Sequence, residues 1–231
     1  MMRQSHAPIL LTRPLPQSQR FAQQLADLGR EIIISPLMAA QMMPAPRPEG
    51  DFSAVIFTSE TAVLAQMHDL PKRAYCVGKR TADVAVAAGF TAQYAGGDWR
   101  DLYTLILGDQ PKGRLLFLHA AEAATDLPNA LNTAGIETVS IQIYRQNPQP
   151  LTPQAVQILR QDGPVILPLF SSRSAALFFA EYTRIQAIAP IFAVALSAQV
   201  SGGISAAHLQ IAARPDAQAM VDAVSELAGL C

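Results

Sequence analysis

The amino-acid sequence repeats itself, and this repeat limits which folds the chain can adopt. The stretch FTSETAV at 57–63 returns as FSSRSAA at 170–176, each after an apolar run. In both copies two hydroxyl residues follow the run, and after one further position come another Thr or Ser and then Ala. A buried strand that leads into helix-capping hydroxyl residues has this pattern. The motif therefore predicts, twice, a strand followed directly by a helix.

Longer segments repeat together with this motif. Residues 9–37 and 115–144 each read as a strand, a loop, an amphipathic helix that stops at Gly29 or Gly135, and a second strand. The segment at 75–107, which follows the first motif, is echoed at 191–224. If the first kind of segment is X and the part from the motif to the last helix is Y, the chain runs X, Y, X, Y.

Proline-rich linkers decide how these parts group into domains. Residues 35–50 and 147–153 are rich in proline, whereas only a short turn-like stretch, 108–113, separates the first Y from the second X. The first X is too small to bury a core alone, so it must fold with the last Y. We predict one domain from 1–35 plus 150–231, linker strands at 36–49 and 144–149, and a second domain at 50–143. The repeat alone also permits two tandem domains.

The alternation of strands and helices predicts the fold class. Half of the residues are hydrophobic and only 15% are charged, which suits sheets covered by helices on both faces. We therefore expect two doubly wound, parallel-sheet α/β domains with a hinge and a cleft between them.

Charge and cysteine content narrow the functional class. A net charge of −1 and only three lysines argue against nucleic acid or an anionic membrane as a partner. Cys76 and Cys231 form neither a disulfide framework nor a metal site, and no apolar run is typical of a signal peptide or membrane span. We expect a cytoplasmic protein that is monomeric.

Polar residues at the predicted strand ends are the candidate ligand contacts, because α/β sheets bind ligands beyond the carboxyl ends of their strands. Helix starts there offer free backbone N–H groups to carboxylates or phosphates. These segments are 12–14, 58–61, 77–81, 119–125, 171–174 and 196–199. Together they predict a site for a small polyanion.

Each candidate also has a purely structural interpretation. Ser and Thr at helix starts are common caps, and Thr81 could cap the helix that follows it. Arg13 and Arg173 can reach an anion or be ordinary surface charges. A catalytic role for His119 lacks a neighbouring acid, and Glu122 and Asp126 read as the solvated face of a helix. The sequence has no phosphate-binding loop, no GxGxxG and no GxSxG, so we expect no cofactor. No set of His, Cys and carboxylate residues has the spacing of metal ligands, so we expect no metal.

A set of motifs occurs in a fixed order and spacing along nearly the whole chain: LLTRP, VIFTSETAV, YCVGKRTADVAVAAGF, LNTAGIETVSIQIYR, LFSSRSAA and IAARPDAQAMVDAV. In this order and spacing the chain resembles uroporphyrinogen-III synthases. The resemblance implies two α/β domains joined by a two-stranded hinge. It also implies a cofactor-independent lyase of haem biosynthesis that cyclises hydroxymethylbilane, inverts the last pyrrole ring and releases water. The substrate is a linear tetrapyrrole polycarboxylate, and transient contact with the preceding enzyme of the pathway is expected.

The resemblance also assigns roles to single residues. Tyr144 matches the family's candidate proton donor, although a phenol that merely packs the hinge would look the same. The implied substrate-binding residues are Thr12, Arg13, Thr58, Ser59, Gly78, Thr81, Ser171, Ser172, Arg173 and Ser197.

Some residues depart from the family pattern. The segment HAAEAATDL lacks a Gly and an Arg that many members have, and Ala198 and Gln199 replace threonines found in some. A homologue that has lost activity, or a non-catalytic sensor that closes on an acidic metabolite, therefore remains an alternative. A glycosyl or phosphoryl transferase would need the phosphate loop that the sequence lacks.

Overall fold

A computed structural model describes residues 6–46, 48–65, 69–122 and 126–230. The chain divides into two compact units. Unit 1 comprises Met1–Ala39 and Asn147–Cys231, and unit 2 comprises Ala40–Gln146. The role of residues 36–49 and 144–149 as linker strands stays a prediction. Cys231 and residues 123–125 of the polar segment 119–125 lie outside the described residues.

The described residues form strands and helices in alternation. The strands are β1 (Ile9–Leu11), β2 (Ile32–Ile34), β3 (Met38–Met42), β4 (Ala54–Phe57), β5 (Arg73–Cys76), β6 (Thr91–Tyr94), β7 (Leu115–Ala120), β8 (Thr138–Pro148), β9 (Val165–Leu169), β10 (Ile191–Ala195) and β11 (His208–Ile211). The α-helices are α1 (Leu15–Gln24), α2 (Glu60–Val63), α3 (Lys79–Ala87), α4 (Trp99–Asp109), α5 (Leu127–Thr133), α6 (Pro153–Leu159), α7 (Ser172–Arg184), α8 (Ala198–Ser201) and α9 (Ala217–Ala228).

Each unit contains one sheet in which parallel pairing dominates. In the described part of the chain, unit 1 has the strand order β11-β10-β9-β1-β2, and the other sheet has the order β3-β8-β7-β4-β5-β6. In unit 1, β1 pairs in parallel with β2 and β9, and β10 pairs in parallel with β9 and β11. In unit 2, β4, β5, β6, β7 and β8 pair in parallel as neighbours. The predicted fold class is confirmed.

The central strands β1, β4 and β9 are buried on both faces of their sheets, which explains their continuous apolar runs. In β9, Leu167 packs on one face in a cluster with Phe178 of α7, while Ile166 packs on the other with Met220 of α9. The strand β4 divides its side chains between two clusters in the same way.

The glycines predicted to stop helices do lie at chain reversals. Gly29 has a φ of 62° after a 3-10 turn at Ala26–Leu28 that follows α1, and Gly135 has a φ of 83° just after α5. Such positive φ angles cost glycine little, because it has no Cβ. Among the described residues, no helix has the length and apolarity that a membrane span requires.

Candidate functional site

In unit 1, the predicted site residues follow three strands that lie side by side. Thr12 and Arg13 follow β1, Ser171 follows β9, and Ser197 follows β10. Parallel strands end at the same edge of a sheet, so these residues share one edge of unit 1. Helices start directly after each of these strands, which turns backbone N–H groups toward that edge.

Arg13 and Thr12 are held differently at this edge. Since Ile9 pairs with Ile166, Arg13 is level with Phe170, and its guanidinium carbon lies 3.9 Å from the centre of that ring. Such cation–π contacts orient an arginine without neutralising its charge. Thr12 is only 1% exposed, and its Oγ1 has no hydrogen-bond partner within the described residues.

Ser171 caps α7, as the motif predicts. Its Oγ accepts a hydrogen bond from the backbone N–H of Ser174 at 3.1 Å and lies 2.7 Å from Ser174 Oγ. Ser172 Oγ donates to the carbonyl of Gln199 at 3.1 Å and so ties α7 to α8. Ser197 precedes α8 without a side-chain cap, and Arg173 is exposed in the first turn of α7.

In unit 2, Thr58 and Ser59 follow β4. Both are half-buried, and Ser59 caps α2 by accepting a hydrogen bond from the backbone N–H of Ala62 at 3.2 Å. One strand away, Gly78 is the N-cap of α3 after β5. Thr81 does not cap a helix, so that interpretation is wrong: α3 begins earlier, at Lys79, and Thr81 is buried in its first turn.

Tyr144 reaches this site through a β-bulge in β8. His119 of β7 pairs with Gln142, but the next residue, Ala120, pairs with Tyr144, so Ile143 is the extra residue. A bulge turns two successive side chains to the same face of a sheet. Ile143 and Tyr144 are accordingly buried in the same hydrophobic cluster. With regular alternation, Tyr144 would lie on the other face.

The phenol of Tyr144 meets the capping hydroxyl of Ser59. Their oxygens are 2.8 Å apart, and Tyr144 is 4% exposed. Burial raises the pKa of Tyr144, hydrogen bonding to Ser59 lowers it, the negative charge of Glu122 raises it, and hydrogen bonding to Thr61 lowers it, with a net upward shift. The group is therefore a neutral phenol that can donate a proton.

His119 faces away from this phenol. Its ring stacks on Phe117 with centroids 4.8 Å apart, its Nε2 lies 2.8 Å from Ser140 Oγ, and its Nδ1 lies 2.7 Å from the carbonyl oxygen of Ala120. Phe117 belongs to the cluster on the opposite face of the sheet from Tyr144. The structure therefore does not bring His119 to the phenol.

Glu122 and Asp126 do not share a helix face, contrary to the sequence prediction. Glu122 lies in the turn after β7, and Asp126 precedes α5. The Glu122 carboxylate instead accepts a hydrogen bond from the backbone N–H of Gln146 at 3.0 Å, a contact that the sequence does not predict. The Ser59–Tyr144 contact is not predicted either. No local sequence signal reveals either contact, because both depend on the pairing of strands.

These features define a two-unit α/β protein whose helix starts present hydroxyl groups at the carboxyl edge of each sheet, with a buried phenol in one unit. A family sequence model described as "Uroporphyrinogen-III synthase HemD" matches residues 19–222. The chain belongs to the uroporphyrinogen-III synthase family, the cofactor-independent cyclising lyases of tetrapyrrole biosynthesis. The predicted family and enzyme class are thereby confirmed, and nothing favours the sensor alternative.

Solved structures support the fold. Uroporphyrinogen-III synthetase from Helicobacter pylori is similar with a TM-score of 0.66 at 21% identity, over 96% of this chain and 99% of that chain. A mutant uroporphyrinogen III synthase from Thermus thermophilus has a TM-score of 0.53 at 15% identity, over 97% and 100% of the two chains. A comparison with curated proteins found no match.

Proposed function

We propose that Tyr144 is the proton donor when this chain converts hydroxymethylbilane to uroporphyrinogen III. The observation that supports this proposal is the 2.8 Å contact between the buried Tyr144 phenol and Ser59 Oγ. The phenol is neutral, so it can protonate a leaving hydroxyl group without first adding a charge to the site.

The reaction divides into bond breaking and chain folding. Protonation of the hydroxymethyl oxygen lets the C–O bond break, water leaves, and the pyrrole nitrogen stabilises the resulting azafulvene cation. The substituted carbon of the last ring then attacks this cation, and the spiro intermediate reopens and closes with that ring inverted. The ring carbon at which it closes loses a proton, which returns to the phenolate. Closure at the unsubstituted position would give the wrong isomer, so holding the chain in one conformation supplies much of the catalysis.

Ser59 stabilises the phenolate that proton donation leaves behind. Its Oγ already accepts a hydrogen bond from the Ala62 N–H, so its own hydrogen is free to point at the Tyr144 oxygen. Hydrogen bonding to Ser59 and Thr61 lowers the pKa of Tyr144 and opposes the effect of burial. The two hydroxyl groups thus make a buried phenol a usable acid.

In this proposal, the substrate's acetate and propionate groups bind at the helix starts that follow the strands of each unit. In unit 1 the cations Arg13 and Arg173 pair with carboxylates, while Thr12, Ser171, Ser172 and Ser197 contribute hydroxyl and backbone groups. In unit 2 the binding residues are Thr58, Ser59, Gly78 and Thr81, and Thr81, being buried, contributes backbone contacts. The cations beside them, Lys79 and Arg80, already pair with Asp83 and Glu60.

The proposal includes a cellular location and an oligomeric state. The cysteine content supports a cytoplasmic protein, and the near-neutral charge gives no reason to expect assembly beyond a monomer. Transient contact with the preceding pathway enzyme is implied by membership of the family. Residues 36–49 and 144–149 serve as its linker strands.

Product analysis tests the proposal. The protein is supplied with hydroxymethylbilane by a coupled source, and the oxidised porphyrin isomers are separated. We expect mainly the type III isomer, and a Tyr144→Phe variant that folds normally should lower kcat by about 100-fold or more. Type I product alone from a folded wild-type sample would refute the synthase activity. Full activity of Tyr144→Phe would refute only the assignment of the donor.

A further inference from the structure

The turn after β7 is hydrogen-bonded to β8 at Tyr144 and just beyond it. The backbone N–H of Ala121 donates to the carbonyl of Tyr144 at 2.8 Å. One residue later, the Glu122 carboxylate accepts a hydrogen bond from the backbone N–H of Gln146 at 3.0 Å. Two consecutive residues of the turn therefore hold two residues of β8, Tyr144 and the residue two positions beyond it.

These two hydrogen bonds lie directly beyond the bulge. A bulge locally disrupts the strand ladder, and its geometry depends on the hydrogen bonds on either side. On the near side, regular pairing runs from Leu115 with Thr138 to His119 with Gln142. On the far side β7 ends at Ala120, so the Glu122 side chain supplies the acceptor that a continuing β7 backbone would have provided.

We propose that Glu122 is a positioning residue that fixes the bulge of β8 and thereby holds the Tyr144 phenol on Ser59. For activity, this inference rests on the proposed role of Tyr144; as a statement about structure it does not. It gives a function to a segment in which the sequence departs from the family pattern, since HAAEA contains the glutamate that makes the second contact.

The charge of Glu122 adds an electrostatic effect to the mechanical one. After burial, the Glu122 carboxylate is the group that raises the pKa of Tyr144, and so it helps to keep the phenol protonated. Other charged groups near this site are Arg145, next along β8, and Glu60 of α2, which pairs with Arg80. Because the hydrogen-bonding and charge effects are separable, two substitutions can distinguish them.

Glu122→Gln and Glu122→Ala make this separation. The amide oxygen of Gln can still accept from the Gln146 N–H but has no charge, whereas Ala removes both acceptor and charge. Asp83→Asn is the matched control, because it makes the same change in net charge on the exposed surface of α3, where the Lys79 pair contributes little.

Two readouts do not depend on turnover. The first is hydrogen exchange of the Gln146 amide. The second is the titration of the Tyr144 phenol, measured by absorbance after subtracting the titration of the same variant with Tyr144→Phe added. We expect Glu122→Ala to speed exchange at Gln146 about tenfold or more, whereas Glu122→Gln should keep most of the protection. The Tyr144 pKa should fall in Glu122→Gln, because a nearby negative charge has been removed. Asp83→Asn should change neither property.

The activity readout is the division between kcat and KM. Glu122→Ala should lower kcat about tenfold with KM little changed, since misplacing a donor affects the chemical step more than binding. Unchanged Gln146 exchange in Glu122→Ala would overturn the inference even if the Tyr144 titration changes, because loss of the Glu122 charge alone shifts that titration. If both change while kcat does not, Glu122 does fix the bulge and Tyr144 is not the donor, so the two proposals fail separately.

Discussion

Ser59 of unit 2 and Ser171 of unit 1 start helices in the same way but have different partners. Their backbone angles are nearly identical, with φ and ψ of −152° and 151° for Ser59 and −155° and 150° for Ser171. Both accept a hydrogen bond from the N–H three residues ahead. Ser59 Oγ then meets the phenol of Tyr144, whereas Ser171 Oγ meets Ser174 in its own helix. The local sequence therefore determines that each serine caps a helix, whereas residues of β8 determine which group the Ser59 hydroxyl contacts.

Strand register explains the difference in partner. In unit 2, Phe57 pairs with Leu118, so Ser59 is level with Ala120, which pairs with Tyr144. In unit 1, Ile166 pairs with Ile9, so Ser171 is level with Pro14, where β1 has already ended and α1 is about to begin. The longer β7 and β8 therefore allow a phenol to reach the capping hydroxyl in unit 2.

The largest expected effect comes from changing the register that distinguishes the two units. Inserting one Ala between His119 and Ala120 gives the extra residue of β8, Ile143, a partner in β7. Regular pairing should then replace the bulge and turn Tyr144 to the other face of the sheet. We expect kcat to fall by about 100-fold or more, as for Tyr144→Phe.

Deleting Ile143 is the matched control for this insertion. The deletion also removes the bulge, but regular alternation after Gln142 then leaves the tyrosine on the Ser59 face. This variant should lose stability, because Ile143 is a buried side chain, and should still turn over at least about tenfold faster than the insertion. Steady-state kinetics on samples with native circular dichroism give the answer. Equal activity of the two variants would contradict the bulge argument.

Removing each capping hydroxyl tests the comparison directly. Ser59→Ala and Ser171→Ala should each cost about 1 kcal/mol of unfolding free energy from loss of the cap. Ser59→Ala should cost more, since the buried phenol also loses a partner. Only Ser59→Ala should lower kcat, by about tenfold, whereas Ser171→Ala should raise KM.

The pH profile of Ser59→Ala adds a signed test. Because the hydrogen bond with Ser59 lowers the pKa of Tyr144, its loss should raise that pKa and move the alkaline limb of kcat to higher pH. Urea unfolding and pH–rate profiles of both variants check these expectations. A Ser171→Ala variant that shifts the alkaline limb equally would show that the two caps do not differ in chemistry.

Alkaline unfolding should distinguish the units without any change to the catalytic residues. Burial raises the pKa of Tyr75 and Tyr144 and raises that of the Cys76 thiol to about 12, all in unit 2, whereas Tyr182 is shifted upward in unit 1. A group with a raised folded-state pKa stabilises the protein fully below its unfolded-state pKa, and this contribution disappears as pH rises toward the folded value. Stability should therefore fall above about pH 9, by up to about 1.4 kcal/mol per pH unit for each group that titrates.

Hydrogen exchange between pH 8 and 10, corrected for intrinsic rates, measures the loss of stability in each unit separately. The amides of β4 and β5 should lose protection before those of β9 and β10. Cys76→Ala should flatten the onset, because the thiol is the first of the unit 2 groups to titrate in the unfolded chain. Simultaneous loss of protection in both units would contradict the prediction.

Sequence patterns predict the fold better than the site, for identifiable reasons. The apolar runs of β4 and β9 and the hydroxyl residues after them are local signals, and the structure has a strand and a capped helix at both. The alignment of the two copies is nevertheless wrong by one residue. The sequence repeat matches Ser59 with Ser172, but the capping residues are Ser59 and Ser171, because β9 ends at Leu169, before Phe170.

The site could not be predicted to the same extent. Tyr144 came from a resemblance, since its position opposite Ser59 depends on a bulge between strands and no short-range pattern marks that bulge. The helix assigned to Glu122 and Asp126 was wrong for a similar reason: four-residue spacing fits a helix, but Glu122 binds Gln146 of another strand. Tertiary pairing overrides local propensity at these positions.

The smallest expected effect concerns Gly78, which occupies a third helix start of the same geometry without a hydroxyl. Its φ and ψ of −143° and 164° resemble those of Ser59, and a Cβ added there would meet no atom within 4 Å. Gly78→Ser should therefore add a cap and raise stability by a few tenths of a kcal/mol.

If the Gly78 backbone contacts the substrate, as proposed, the added side chain should raise KM about threefold, because close approach is what the glycine permits. Gly163→Ser, before β9 at the opposite end of its sheet and equally uncrowded, is the control and should leave KM unchanged. Unaltered KM in Gly78→Ser would remove Gly78 from the proposed substrate-binding residues of unit 2 and leave Thr58, Ser59 and Thr81.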